Sequence, residues 1–400
     1  MSSTNAQLES RAKQVLFQNY RTAPIALVRG AGSRVWDADG KVYLDCIGGI
    51  AVCGLGHAHP RVLAALEAQA RKLWHASNLF YTEPQIELAE RLVPTFAGGD
   101  ARAFFCNSGA EANEALLKLA RRFHSDAGHP ERVEIVCALD SFHGRTYGAL
   151  AATGQPKYQH GFEPLPAGFV HVPYGDAEAL AAAVGPRTAA ILLEPIQGEA
   201  GVRVPPRGYL GDARALADKA GALLMLDEVQ TGVGRTGKLW AHHHEGIIPD
   251  ALSFAKGIAN GMALGGILAT SKLAATFVPG THASTFGGNP LATAAAVAVF
   301  DELQSGAMER GRVGGERLVS RLASMIGRVE GVKQVRGAGM LLGVELKTAA
   351  APVVARARDL GLLVNAAGDN VVRLAPSLLL SDAEIDEAAS LLERAIAEAR

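Results

Sequence analysis

Cysteine is scarce in this chain. Its 400 residues hold four, Cys46, Cys53, Cys106 and Cys137, and no two of them form a C-x-x-C pair. Three sit in or beside apolar runs, so they read as buried free thiols in a reducing compartment. An excess of either charge is also missing: 39 Lys and Arg face 40 Asp and Glu. That balance excludes a basic field for nucleic acid and an acidic tail, and leaves small molecules or a second copy of the chain as the expected partners. No apolar run approaches the length that spans a membrane. The segment 1–20 lacks the apolar stretch of a signal peptide. It carries Glu9 and few arginines, unlike a transit peptide, so a cytoplasmic location is expected. No repeat at solenoid period is visible.

What is present is an ordinary globular composition, 48% apolar and 20% charged. The length exceeds what one core usually serves, so two domains are expected. Near the start the chain reads as extended. Arg34-Val35-Trp36 and Lys41-Val42-Tyr43-Leu44 flank the turn cluster Asp37-Ala38-Asp39-Gly40, which predicts a hairpin. A glycine-rich stretch follows, then helical spacing over 61–73. From about residue 100, short apolar runs at 102–106, 133–138, 169–172, 189–193, 222–226, 251–255 and 266–270 alternate with helical segments. Uniformly apolar strands separated by helices imply a mainly parallel sheet covered on both faces. The stretch 290–322 predicts one or two helices. Strand-like pieces lie at 339–346, 362–365 and 371–375, and a last helix covers 382–398 with Ser381 as N-cap. The expected organisation is an N-terminal segment (1–62), a large α/β domain (63–310) and a small C-terminal α+β domain (311–400), which the N-terminal hairpin joins.

Most of the strand-like runs end in polar residues or glycine, and in an open α/β sheet the ligand crevice lies outside the carboxyl ends of the strands. Lys256, followed by Gly257, ends one run. An amine in a partly dry cleft loses its charge readily and becomes a nucleophile, whereas a lone lysine at a strand end is more often a surface residue. Asp227 ends the most apolar run, where a carboxylate must be paired or hydrogen-bonded; a protonated pyridinium nitrogen, an arginine or a helix N-terminus would serve. Ser108 and Gly109 stand between a strand and a helix, fit either for an anion such as phosphate or for a plain N-cap. Phe142 follows another strand end and suits either a flat heterocycle or the core. Arg145 and Arg373 are each able to clamp a carboxylate in bidentate fashion or to form a surface ion pair, and Glu199 is a partner for one of them.

Two further patterns carry less. Gly232-Val233-Gly234-Arg235-Thr236-Gly237 matches G-x-G-x-x-G, but Asp227 to Thr231 intervene between the strand and the first glycine, against the dinucleotide fingerprint. His242-His243-His244 looks like a metal cluster, but neighbouring helical side chains diverge by about 100° and do not converge on one ion, so a solvated face is expected.

Taken in order, these clusters resemble the class III, ω-type aminotransferases of PLP fold type I. The resemblance runs through Asn107-Ser108-Gly109-Ala110-Glu111-Ala112-Asn113-Glu114, Ser141-Phe142-His143-Gly144-Arg145-Thr146 and Gly154-Gln155-Pro156-Lys157-Tyr158. It continues with Glu194-Pro195-Ile196-Gln197-Gly198-Glu199, Asp227-Glu228-Val229-Gln230, Ala255-Lys256-Gly257, Ser284-Thr285-Phe286-Gly287-Gly288-Asn289-Pro290 and Arg373. It implies a large domain with a mainly parallel central sheet flanked by helices, and a smaller α+β domain built from the two chain ends. It implies pyridoxal 5'-phosphate held by Lys256, with Asp227 on the ring nitrogen, Ser108 and Gly109 on the phosphate, Gln230 near the phenolic oxygen, and Phe142 and Val229 on the ring faces. Glu228 belongs to the same implied cofactor set. Thr285 would reach the phosphate of a neighbouring subunit, so a homodimer with shared active sites is implied. Arg145 and Ser284 would contact the amino donor, N-acetylornithine, in a route of arginine biosynthesis. Arg373 would bind the α-carboxylate of glutamate or 2-oxoglutarate, with Glu199 masking it during the other half-reaction. No metal is implied. Ala110, Ala200 and Ala283 depart from residues common in the family, and ornithine, N-succinylornithine, N-succinyl-diaminopimelate and 4-aminobutyrate are the alternative donors. Outside the family, the alternatives are a nucleotide-binding oxidoreductase built on the glycine pattern and a catalytically silent member of the same fold.

Overall fold

The computed structural model describes residues 3–399. A helix over Asn5–Val15 comes first, started by a capping box between Thr4 and Gln7, and none of its residues is buried. Without an apolar stripe there is no periodic signal to reveal it, which is why this segment reads as extended. The expected hairpin follows as β2 (Arg34–Asp37) and β3 (Val42–Asp45), preceded by an antiparallel β1 (Leu27–Ala31).

The central sheet holds β4 (Ala101–Cys106), β5 (Glu134–Ala138), β6 (Phe169–Val172), β7 (Thr188–Leu193), β8 (Leu223–Asp227), β9 (Ala251–Phe254) and β10 (Gly265–Thr270), in the order β4-β10-β9-β8-β7-β5-β6. Every one of the seven apolar runs is a strand. Neighbours from β9 through β6 pair parallel, while β10 runs antiparallel to both β9 and β4. Alternation along each strand divides the side chains between two cores. Val136, Ile191, Leu193, Leu224, Leu226 and Leu252 face one; Ile135, Cys137, Leu192, Met225 and Ala251 face the other, against Ala112, Leu116 and Leu119 of the helix Gly109–Asp126. Both faces are buried, which explains why the strands read as continuous apolar runs. Cys46, Cys106 and Cys137 are buried, Cys53 is half-buried, and all four are free thiols.

The C-terminal part adds β11 (Val332–Ala338), β12 (Leu341–Leu346), β13 (Leu362–Leu363), β14 (Asn365–Ala366) and β15 (Val371–Leu374). Four of these form an antiparallel sheet, β11-β12-β15-β14, while β13 pairs parallel with β3 and so ties both ends of the chain into one sheet. The expected single strand at 362–365 is thus split, one half serving each sheet. The stretch 290–322 is also split, into helices Pro290–Glu302 and Met308–Ala323, around Gly306 at φ 125°. The last helix spans Asp382–Glu398 with Ser381 and Glu384 in a capping box. Among the described residues no helix is long and apolar enough to cross a membrane.

Candidate active site

The polar ends of β4, β5, β7, β8 and β9 meet at one edge of the central sheet around a cavity of about 440 Å³. Asp227 closes β8 and is 4% exposed. Its Oδ2 accepts from Asn113 Nδ2 (2.7 Å) and pairs with His143 Nδ1 (2.8 Å); its Oδ1 accepts from Val229 N (3.0 Å) and Ser253 Oγ (3.3 Å). The buried carboxylate is therefore satisfied on its protein side, as its position demands. Asn113 also donates to the His143 carbonyl (2.7 Å) and accepts from the Ser253 hydroxyl (2.7 Å), which locks three strand ends together. Among the described residues, His143 Nε2 has no hydrogen-bond partner. Asn113 and His143 lie inside the motifs read from the sequence, yet nothing in the spacing marks them as partners of Asp227. They come from elements distant in the chain.

Lys256 follows β9 and lines the same cavity. Its φ of 46° places a non-glycine residue in the left-handed region, a strained conformation of the kind that collects at functional sites. Burial, reinforced by Arg373, lowers the pKa of its amine against the opposing pull of Glu199. Glu194, at the end of β7, opens one of the motifs that carry the family resemblance, but the sequence assigns it no role of its own. It is 5% exposed, lines the cavity, and accepts from Phe142 N at 3.1 Å. Burial first, and the charge of Asp227 second, push its pKa well above the usual carboxylate range.

Across the cavity Glu199 and Arg373 form an ion pair at 2.6 Å, with the Arg373 side chain 1% exposed. The same guanidinium donates to the Gly198 carbonyl and to Gln230 Oε1, both at 3.1 Å, and Gln230 Nε2 donates to Glu199 (3.0 Å). Gly198 permits this triangle, because a Cβ there would lie 1.8 Å from Gln230 Oε1. Burial alone would raise the Glu199 pKa; Arg373, then Lys256, overcome it and hold the carboxyl at about 2.

Ser108 caps the helix Gly109–Asp126 by accepting from Glu111 N (3.2 Å), so the plain N-cap reading is realised. It does not displace the anion reading, since the hydroxyl retains its proton to donate. Ser108, Gly109 and Ala110 all line the cavity, at the positive end of the helix dipole. Phe142 and Val229 line it as well. Arg145 stands at the exposed rim, its guanidinium 3.9 Å from the Tyr158 ring centroid and 5.5 Å from that of Phe142. No described residue forms a salt bridge with it.

Three predicted site residues are placed elsewhere. Glu228 is fully buried and turned from the cavity; its carboxylate accepts from Thr231 Oγ1, Ala241 N and His242 N and pairs with His242 Nδ1, so its side chain is structural. The expected solvated face at 242–244 is corrected by the same contacts: His242 is buried on Glu228, and only His243 and His244 are exposed. Ser284 and Thr285 line a separate surface hollow of about 790 Å³. Ser284 Oγ accepts from Nδ2 of Asn107, a residue that lines the active-site cavity (3.3 Å). The glycine pattern at 232–237 lines no described cavity. Arg235 within it is buried and donates to the Met340 and Pro376 carbonyls, so this segment fastens the C-terminal part.

A family model described as aminotransferase class-III matches residues 16–396. The chain belongs to the class-III aminotransferases. It is 55% identical to the acetylornithine aminotransferase of Myxococcus xanthus over 388 residues, 96% of each chain. It is 50% identical to that of Mycobacterium tuberculosis over 389 residues, 96% of this chain and 95% of the other. Among solved structures it matches an ornithine aminotransferase from Toxoplasma gondii with a TM-score of 0.94 at 33% identity, covering 98% of this chain and 95% of that one. It matches the N-acetylornithine aminotransferase of Stenotrophomonas maltophilia with a TM-score of 0.83 at 37% identity, covering 97% and 98%. Class-III aminotransferases use pyridoxal 5'-phosphate, and this is the cofactor of the chain. Its residues fit that group on their own chemistry. A buried carboxylate suits a ring N–H, a half-buried amine suits an aldehyde, and a helix N-terminus suits a phosphate. At that terminus the fold leaves no spare room: a Cβ on Gly109 would lie 2.7 Å from Val229 Cγ1, and one on Gly265 would lie 2.5 Å from the Ser108 carbonyl oxygen.

Proposed function

We propose that the chain moves the δ-amino group of N2-acetyl-L-ornithine to 2-oxoglutarate, giving N-acetylglutamate 5-semialdehyde and glutamate, as a step of arginine biosynthesis. One observation carries this reading: a buried arginine beside the cavity, Arg373, is ion-paired with Glu199, while a second arginine, Arg145, stands at the rim with no ion-pair partner among the described residues. An ω-amino donor brings its amine to the centre and leaves its carboxylate far away, at Arg145. Glutamate brings a carboxylate beside its amine and needs Arg373 bare. A removable mask lets one cavity serve both. The names of the relatives support the acetylated donor, and a free ornithine donor is the reading that the T. gondii neighbour favours.

When bound, pyridoxal phosphate supplies an aldehyde that takes up the amino group and an electron-poor ring that absorbs the electron pair released when the donor's C–H bond breaks. The residues of the chain would do the rest. Asp227, oriented by Asn113 and His143, would keep a proton on the ring nitrogen. Lys256, its amine disposed by burial toward the neutral form, would accept and return the proton at Nζ. Ser108 and Gly109 would seat the phosphate, and Phe142 and Val229 would fix the plane of the ring. Gln230 would serve the phenolic side while holding the mask.

The same reading includes a cytoplasmic homodimer with shared sites and the division 1–62, 63–310 and 311–400. The pairing of β13 with β3 supports the joining of the chain ends. Trp74, Leu79, Phe80, Tyr81 and Phe286 are 63%, 86%, 68%, 95% and 59% exposed. They lie where Asn78 is bonded to the Ser284 and Gly287 carbonyls. An apolar patch of this kind marks an interface, and covering it would bring Thr285 toward a second copy.

Glu199→Gln tests the mask. The kcat/KM for N-acetylornithine is expected to fall by ~10–100-fold while that for glutamate changes by less than about 3-fold, read from separate half-reactions. Equal losses would count against masking. The pH dependence has a definite sign. A carboxyl depressed to about 2 keeps its ion pair above the ordinary carboxylate range and loses it only as the pH falls through about 2. The ratio of the two specificity constants is therefore expected to stay flat from about pH 5 to about pH 9. A break in that ratio near neutrality would show that another group controls donor choice.

A further inference from the structure

Glu199 borders two cavities. One is the active-site cavity; the other, about 590 Å³, is polar and lined by Gln155, Ala200, Arg203, Arg336 and Asn370. The residue rides on a short loop whose ends are closed by a reciprocal backbone pair, Gln197 N to Arg203 O and Arg203 N to Gln197 O, each 3.0 Å. At the loop's far side Gly201 and Val202 have φ of 96° and 53°, and Val202 is fully buried. Arg336, on β11, reaches across to this turn. Its Nε donates to the Gly201 carbonyl (2.9 Å) and the Val202 carbonyl (3.2 Å), while Nη1 is anchored on Glu345 and on Gln334 (3.2 Å).

The loop is held at its base by the Gln197–Arg203 pair and by Arg373 on the Gly198 carbonyl, and at its tip by Arg336. Resting on the masking role above, we infer that Arg336 is the positioning residue that keeps this loop, and with it the Glu199 carboxylate, in register with Arg373. Arg336 does not line the active-site cavity. Its effect reaches the reaction only through where Glu199 stands.

The test uses the cofactor-loaded enzyme and measures each half-reaction by single-turnover absorbance, with N-acetylornithine or with glutamate. For Arg336→Ala the kcat/KM for N-acetylornithine is expected to fall ~10-fold, the worth of one charge-assisted bond, with glutamate changed less than about 2-fold. Arg336→Lys is expected to recover part of the loss, and Glu345→Gln to shift the same ratio in the same direction by less. Should Arg336→Ala fold poorly, the two milder variants carry the same readout. Equal loss in both half-reactions, or no change in their ratio for any variant, would overturn the positioning role. Failure of the masking role itself would show separately, as an unchanged ratio in Glu199→Gln.

Discussion

Lys256→Ala is expected to lower kcat by ~10⁴-fold or more with every donor, because it removes both the amine that takes up the cofactor's aldehyde and the base that moves the proton. The two roles fall together, since no other described side chain lining the cavity is a lysine. Burial pushes the Glu194 carboxyl toward its neutral form, so it does not replace the lost base. The substitution exchanges one non-glycine residue for another at φ 46°, so it adds no backbone strain. The variant is expected to fold and melt close to the parent. It is also expected to convert a stoichiometric amount of donor no faster than the cofactor does in water. Turnover within tenfold of the parent would remove Lys256 from the chemistry.

Asp227→Asn is expected to have the second-largest effect. It keeps the shape and removes the charge that faces the bottom of the cavity. A neutral amide no longer favours a proton on the ring nitrogen, and kcat is expected to fall ~10³-fold. The fall is expected in kcat for both half-reactions alike, which separates this variant from Glu199→Gln, where only one suffers. His143 and Asn113 then face an amide rather than a carboxylate, with bonds at 2.8 and 2.7 Å to re-form. Part of the change is therefore expected in thermal stability, measurable without any substrate. A loss confined to stability, with kcat intact, would recast Asp227 as a structural carboxylate.

How far the sequence carries this picture depends on what kind of signal each feature leaves. The seven strands of the central sheet are legible because both faces are buried and their side chains are uniformly apolar. The reversal of β10 is not, since a strand buried on both faces reads the same in either direction. The helix Asn5–Val15 leaves no stripe to find, and the step between β13 and β14 is a matter of which neighbour each residue meets. In the site, Lys256, Asp227, Glu199 and Arg373 are legible as strand-end chemistry and as members of family motifs. The network that holds Asp227 is not: Asn113, His143 and Ser253 stand 114, 84 and 26 residues away from it in sequence. Glu228 shows the opposite error. It shares a motif with Asp227, but the β8 end directs neighbouring side chains to opposite sides, and that of Glu228 is consumed by the turn at 241–242.

The most direct test is to reduce the purified protein with borohydride, digest it and locate the pyridoxyl group in the peptide map. A single modified site at Lys256, with one group per chain, is the expected result. Modification spread over surface lysines, or a reduced protein carrying no pyridoxyl group after incubation with pyridoxal phosphate, would contradict the assignment of this cavity as the place where the amino group is exchanged.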